Sequence, residues 1–351
     1  MNEEFAAAMR RSLEQTRAGN PMDATRVIQE ALSGREAPSA GAGQRATTRV
    51  RRPLSEVLEG LARRPPGLGL PGRRAASLPE LPDGADFARR RHDGPYGGRD
   101  YRLYMPSPRS GPIRGLVVML HGCTQSPEDF AVGTGMNRHA EEHGLMVLYP
   151  EQGRADNAQL CWNWFRPADQ GRARGEAALL AGLAADVAGE HGVPPARIFV
   201  AGLSAGGAMA AILAQTHSDR FAAAGVHSGL APGSAQDVVS AFAAMRGEAA
   251  PGAQALRVPA IIFHGSADAT VAPANAGRIA GAMEETGRRT GTAGGRRFDV
   301  LEGRNVAGHP VEVWRIEGAG HAWSGGDAGG SYADPAGPDA SAEMVRFFLS
   351  I

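Results

Sequence analysis

The run Ile198-Phe199-Val200-Ala201-Gly202-Leu203-Ser204-Ala205-Gly206-Gly207 places a serine inside Gly-x-Ser-x-Gly, between an apolar stretch and the Ala-rich stretch Ala205 to Thr216. The first reads as a strand and the second as a helix. That context is the one a nucleophile elbow requires: the turn holds its serine in a strained backbone conformation, and side chains at the flanking glycines would clash with the strand and helix backbones. The helix N-terminus beneath Ser204 adds partial positive charge where an oxyanion develops. With 48 glycines in the chain the pentapeptide alone arises easily by chance. Its placement between strand and helix is what carries weight.

A hydroxyl needs a base, and the base needs an acid to fix its tautomer and stabilise the imidazolium. In the Ser, Asp, His order that this kind of elbow uses, Ile261-Ile262-Phe263-His264-Gly265-Ser266-Ala267-Asp268 offers Asp268 after a buried strand. Val311-Glu312-Val313-Trp314-Arg315-Ile316 leads in turn to His321. His309 precedes that strand and falls at the wrong end of the sheet; Asp237 sits in a Gly/Ser/Pro-rich loop with no strand just before it. The expected triad is therefore Ser204, Asp268 and His321.

An oxyanion hole takes one N–H from the residue after the nucleophile and one from the loop after an earlier strand. Leu116 to Leu120 ends in His121-Gly122-Cys123, so the backbone amides of Cys123 and Ala205 are the expected donors. Trp162, Trp164 and Trp323 are placed around an acyl cleft as flat apolar walls, the ordinary alternative being core packing. Trp314, on the same face of its strand as Ile316, reads as core.

The elements that must hold these residues alternate. Leu116 to Leu120, Met146 to Tyr149, Ile198 to Ala201, Gly225 to His227 and Ile261 to Phe263 read as buried strands, preceded by a strand at Arg99 to Met105. Pro127 to His143, Glu176 to His191, Ala205 to Thr216 and Pro273 to Gly287 read as helices. The pattern predicts an α/β fold with a mainly parallel central sheet flanked by helices, and a site at the carboxyl ends of the strands. Ahead of this domain, 86–351, residues 1–34 read as a short helical hairpin extension with an apolar stripe through Phe5, Met9 and Leu13, and 35–85 as a linker rich in Arg, Pro and Gly. The stripe packs either on the catalytic domain or on a second copy of the chain as a homodimer contact.

Composition removes other classes. The formal net charge of zero argues against nucleic acid or an anionic membrane as partner. Every basic residue of the Lys+Arg count is arginine, which excludes lysine Schiff bases and lysine phosphate loops. No run approaches a membrane span. The first residues, acidic from Glu3 and without an apolar run, do not read as a secretion signal, so a cytoplasmic address is expected. Cys123 and Cys161 are too few for a disulfide scaffold and wrongly spaced for zinc. Both follow strands near the site, which favours a bridge; a cytoplasmic address argues against one.

At these residues the chain resembles the polyhydroxybutyrate (PHB) depolymerase family of esterases, in the α/β-hydrolase superfamily and related to feruloyl and acetylxylan esterases. The matching stretches are Leu120-His121-Gly122-Cys123-Thr124-Gln125, Cys161-Trp162-Asn163-Trp164-Phe165, Gly202 to Gly207, Gly320-His321-Ala322-Trp323-Ser324-Gly325-Gly326, and Ser331 to Pro335 followed by Gly337-Pro338-Asp339-Ala340. The resemblance covers roughly 86–351. It implies a lightly covered serine hydrolase acting on short-chain hydroxyalkanoate esters or polyesters, with no cofactor or metal, and an extracellular address as the alternative. Neither a secretion signal nor a polymer-binding module is read in these residues, so polymer degradation is left as an open expectation. An amidase or poly(amino acid) hydrolase would use the same parts. A binding protein on an inactive core is the non-enzymatic rival.

Overall fold

Leu116 to Leu120 contains no polar residue, and such a strand belongs inside a sheet covered on both faces. A computed structural model of the protein describes residues 78–248, 250 and 252–351, all within the unit Pro71–Ile351. The expected hairpin at 1–34, its homodimer contact and the linker up to residue 77 lie outside the described residues. The strands are β1 (Asp86–Gly94), β2 (Gly97–Met105), β3 (Gly115–Leu120), β4 (Leu145–Pro150), β5 (Ile198–Leu203), β6 (Ala223–His227), β7 (Ala260–Gly265), β8 (Met283–Ala293), β9 (Arg296–Asn305) and β10 (Pro310–Ile316). They form one sheet in the order β1-β2-β4-β3-β5-β6-β7-β10-β9-β8. The middle, β4 through β10 in that order, is parallel, and antiparallel pairs close both edges.

Successive residues of the parallel strands face opposite layers, as the two-residue period of a strand demands. Val118, Val200 and Ile262 join one apolar core; their neighbours Val117, Phe199 and Ile261 join the other. The first layer is covered by α3 (Gly175–Glu190) through Leu180 and Leu183, and by α4 (Ala205–Thr216) through Met209 and Ile212. The second is covered by α1 (Pro127–Thr134), α2 (Met136–His143) and the closing α7 (Ala340–Leu349), whose Phe348 stacks on Phe199 at 4.8 Å. Two shorter helices, α5 (Val238–Met245) and α6 (Ala274–Ala280), follow β6 and β7. A small parallel pair, β11 (Trp323–Ser324) and β12 (Ala333–Asp334), lies just past the expected base.

Two expectations are corrected. Pro127 to His143 is two helices, because Gly135 sits in the left-handed region (φ 60°) and ends one as it begins the next. The helix expected to run from Pro273 to Gly287 stops at Ala280, where Gly281 turns the chain, and residues from Met283 form β8 of an edge hairpin. The structure adds β1, which carries no apolar run: Arg89, Arg90 and Arg91 form a mostly polar edge strand, with ion pairs from Arg89 and Arg91 to Asp100 of β2.

Candidate functional site

The turn from β5 into α4 forces Ser204 to φ 58°, ψ −119°, a conformation that a non-glycine residue adopts only when its surroundings impose it. The surroundings are close backbones. A Cβ on Gly202 would lie 2.4 Å from the Gly206 backbone, and one on Gly206 would lie 2.0 Å from the Leu120 carbonyl oxygen. The Ser204 side chain stays partly accessible, while its N–H donates to the His227 carbonyl at 2.9 Å.

Asp268 follows β7, and its carboxylate is enclosed. Oδ1 accepts the N–H groups of Thr270 and Val271, both at 2.9 Å. Oδ2 accepts from His321 Nδ1 at 2.7 Å and lies 3.4 Å from His264 Nε2, which donates to the Val271 carbonyl. Burial alone would raise this carboxyl's pKa, but the contacts from His264, His321 and Val271 outweigh it and hold the group well below the usual carboxylate range. An ionised Asp268 accepting from Nδ1 leaves the other ring nitrogen of His321 free to take a proton. The two loops are laced together: Ala267 N–H donates to the Ala319 carbonyl at 3.0 Å, and Gly318 N–H to Ser266 Oγ at 2.9 Å. No hydrogen bond joins Ser204 Oγ to His321, a contact that in substrate-free sites often tightens only on binding.

Among the described residues, neither Cys123 N–H nor Ala205 N–H has a protein acceptor, so both are available for an oxyanion. The Cys123 loop is held from several sides. Gly122 N–H donates to Gln125 Oε1 at 2.8 Å, and Gln125 Nε2 donates to Asp129 and to the Ser331 carbonyl, both at 3.0 Å. Cys123 is joined to Cys161 by a disulfide. Beneath it His121 Nε2 accepts Gln152 N–H at 3.2 Å, and Gln152 in turn donates to the Cys161 carbonyl at 2.9 Å. Burial pushes His121 down to about 4, against a smaller opposing effect of its bond to the Gly122 carbonyl, so the ring is neutral.

The tryptophans do not line an open cleft. Trp162 is fully buried, with its indole N–H donating to the His121 carbonyl at 3.0 Å; Trp323 is 1% exposed, donates to Ser341 Oγ at 3.1 Å and packs edge-on against Phe130. Trp164, 6% exposed, belongs to the core beside α3. Each satisfies its polar atom or packs its ring by anchoring a loop, which corrects the expectation for all three. The exposed aromatic here is Tyr332 (47%), at φ 51°, with its OH 3.4 Å from Thr124 Oγ1 next to Cys123. Its place in Ser331-Tyr332-Ala333-Asp334-Pro335 was visible in the sequence, but its exposure was not. His309 lies in the β9–β10 turn at the opposite end of β10, and Asp237 caps α5 at the surface.

A serine on a strand–turn–helix elbow, with a His–Asp pair after β10 and β7, on a parallel sheet faced by helices, defines an α/β hydrolase. Residues 99–302 match the family described as Esterase PHB depolymerase, and the chain belongs to that family of carboxylic ester hydrolases. Poly(3-hydroxyalkanoate) depolymerase C of Paucimonas lemoignei is 34% identical over 227 residues, 59% of this chain and 54% of that protein. A probable acetylxylan esterase A of Aspergillus clavatus is 29% identical over 184 residues, 46% of this chain and 58% of that protein. The chain thus spans about half the length of the curated relatives it matches. Among solved structures, an acetyl xylan esterase from Aspergillus awamori superimposes with a TM-score of 0.54 at 21% identity, covering 67% of this chain and 94% of that one. It shares the fold.

Proposed function

We propose that this protein hydrolyses carboxylic esters of short hydroxyalkanoates through an acyl-enzyme, with Ser204 as nucleophile, His321 as base and Asp268 as its orienting acid. Ser204 Oγ attacks the carbonyl as His321 takes its proton, and the Cys123 and Ala205 amides receive the oxyanion. His321 then protonates the leaving alcohol, and water, deprotonated by the same imidazole, cleaves the acyl-enzyme. The observation that carries this reading is the 2.7 Å bond from His321 Nδ1 to an enclosed Asp268, on the edge where the strained Ser204 turn also lies. The relatives' names support esters of hydroxyacids or acetylated sugars as substrate class. Tyr332, exposed beside the oxyanion loop, supplies the aromatic wall against the bound ester. The Cys123–Cys161 bridge favours an oxidising compartment over the cytoplasm; no described helix is long and apolar enough to cross a membrane.

The test is turnover of 4-nitrophenyl butyrate, a 3-hydroxybutyrate dimer and a 4-nitroanilide by the chain and by Ser204→Ala, with fluorophosphonate labelling located by mass spectrometry. Ester cleavage, label on Ser204 and loss of turnover in the variant are expected. Retention of most activity in Ser204→Ala sinks the mechanism; faster anilide than ester cleavage sinks the substrate class.

A further inference from the structure

β6 contributes no member of the proposed triad, yet it runs between β5 and β7 in the sheet, and its last residue touches both halves of the site. The backbone carbonyl of His227 accepts the Ser204 N–H at 2.9 Å and fixes the nucleophile's own peptide. The imidazole reaches the other half, where its Nε2 accepts the Ser324 N–H at 3.1 Å, three residues beyond His321. A backbone N–H can only donate, so Nε2 is unprotonated; Nδ1 carries the proton and donates to Ser228 Oγ at 3.2 Å. The ring is also clamped. It stacks on Phe263 with centroids 5.7 Å apart and on Trp323, two residues after His321, at 5.2 Å. At 1% exposure it has no route to substrate or solvent. The next residue, Ser228, sits at φ 49°, held by its N–H bond to the Phe263 carbonyl at 2.9 Å.

We propose that His227 is a positioning residue that sets the distance between Ser204 and His321 by bonding the nucleophile through its backbone and the loop of the base through its ring. The proposal rests on the triad assignment above. A carbonyl-to-ring span within one rigid residue is a short tie between two loops whose strands, β5 and β10, are separated in the sheet by β6 and β7. Burial first, and then the neighbouring His264 and His321, push the ring down to about 3, so it remains an acceptor throughout the pH range in which the triad works. A base displaced by about 1 Å from its nucleophile loses on the order of a hundredfold in rate, and binding of the ester, made elsewhere, is spared.

The variants follow from the geometry. His227→Phe keeps the stack and removes the acceptor, leaving a buried Ser324 N–H unpaired; His227→Gln puts an amide oxygen where Nε2 stood; His227→Asn is too short to reach. With the full chain and a soluble aryl butyrate, His227→Phe is expected to lower kcat about 10- to 100-fold with KM within about threefold, and His227→Gln to return within about fivefold of the parent. His227→Asn should resemble His227→Phe, and it gives the comparison if the phenylalanine variant does not fold. In an Asp268→Asn background, where the base is already misoriented, His227→Phe should have little further effect, since coupled residues are not additive. A general packing defect would instead add to Asp268→Asn and would not be rescued by glutamine. Parent-like kcat in a folded His227→Phe or His227→Asn, or a glutamine variant no better than asparagine, overturns the proposal. Ser204→Ala measured alongside separates the two claims: if it stays active the triad reading falls, and if it is dead while His227→Phe is normal only the tie falls.

Discussion

Replacing Asp268 by asparagine tests the acid at a single atom, since one oxygen of the carboxylate becomes an NH2 group. Oδ1 accepts two backbone N–H groups, from Thr270 and Val271, while Oδ2 accepts from His321 Nδ1. The amide therefore has two orientations. With its oxygen toward the loop, both backbone donors stay satisfied and the NH2 faces His321, so the imidazole must move its proton to the other nitrogen and can no longer accept one from Ser204. With the NH2 toward the loop, His321 keeps its tautomer but two backbone donors lose their acceptor, at roughly 1–3 kcal/mol each. The first orientation wins by about 2–6 kcal/mol, and the wrong tautomer is fixed. The expected loss in kcat is about ten-thousandfold, or roughly 5.4 kcal/mol in the barrier. Steady-state hydrolysis of an aryl acetate reads kcat, and circular dichroism with a thermal melt checks the fold. A folded Asp268→Asn that keeps more than a tenth of parental kcat would show that His321 is not oriented by this carboxylate.

Reducing the Cys123–Cys161 bridge, which closes a loop of 38 residues in sequence separation, should destabilise by about 4 kcal/mol and lower Tm by roughly 10 °C, read by calorimetry with and without a phosphine; an unchanged melt would contradict it. Gly206→Ala, whose methyl would meet the Leu120 carbonyl at 2.0 Å, should yield no folded protein, whereas Gly182→Ala in α3, with nothing within 4 Å, should stabilise by about 0.5–1 kcal/mol in urea titration. Tyr332→Ala should raise KM for an aryl butyrate several-fold more than for methyl acetate, with kcat little changed; equal effects on both would remove Tyr332 from the ester wall. His121 and His227 have folded values of about 4 and 3 against an ordinary 6.5, so the unfolded chain takes up their protons first. Their stabilisation is complete above about pH 6.5 and is lost on acidification down to about 4 for His121 and about 3 for His227, at up to about 1.4 kcal/mol per pH unit for each ring; urea midpoints across that window should fall, and more gently in His227→Gln.

The interior of the sheet was legible because a strand buried on both faces has to be apolar throughout: β3, β5 and β7 each show as an uninterrupted run, and residues placed just past such runs fall on one edge. The edges were not legible for the same reason. β1 and β8 are polar strands stabilised by pairing and by charge partners such as Asp100, so their sequences carry neither an apolar run nor a clean alternation. Gly281 decided between helix and turn after Ala280 through its φ of 66°, and glycine's type alone does not reveal its φ. The tryptophans show a different limit. Their closeness in sequence to Cys161 and His321 said they were near the site, but whether an indole faces cleft or core depends on a partner such as the His121 carbonyl or Ser341. In the sequence His227 is only the end of a strand, since nothing local marks a histidine whose carbonyl and ring accept from two distant segments, at Ser204 and Ser324.

Each group of the proposed site is fixed by its own loop and by at least one neighbouring element. The Ser204 turn is packed against the Leu120 carbonyl of β3 and bonded to the His227 carbonyl of β6, and the Cys123 loop is held by Gln125, Asp129 and a bridge to the loop after β4. Asp268 is fixed by the N–H groups of Thr270 and Val271 together with His264, so its charge is solvated by protein before any substrate arrives. His321 sits in the loop beyond β10, and that loop is tied back to the sheet by Ser266 on one side and His227 on the other. In the proposed mechanism, preorganisation of this kind lowers the reorganisation needed as charge develops on the oxyanion and imidazolium. It also predicts where the protein tolerates change: substitutions at the exposed rim near Tyr332 redirect which ester binds, whereas substitutions in the buried ties between strands change the rate for every ester alike.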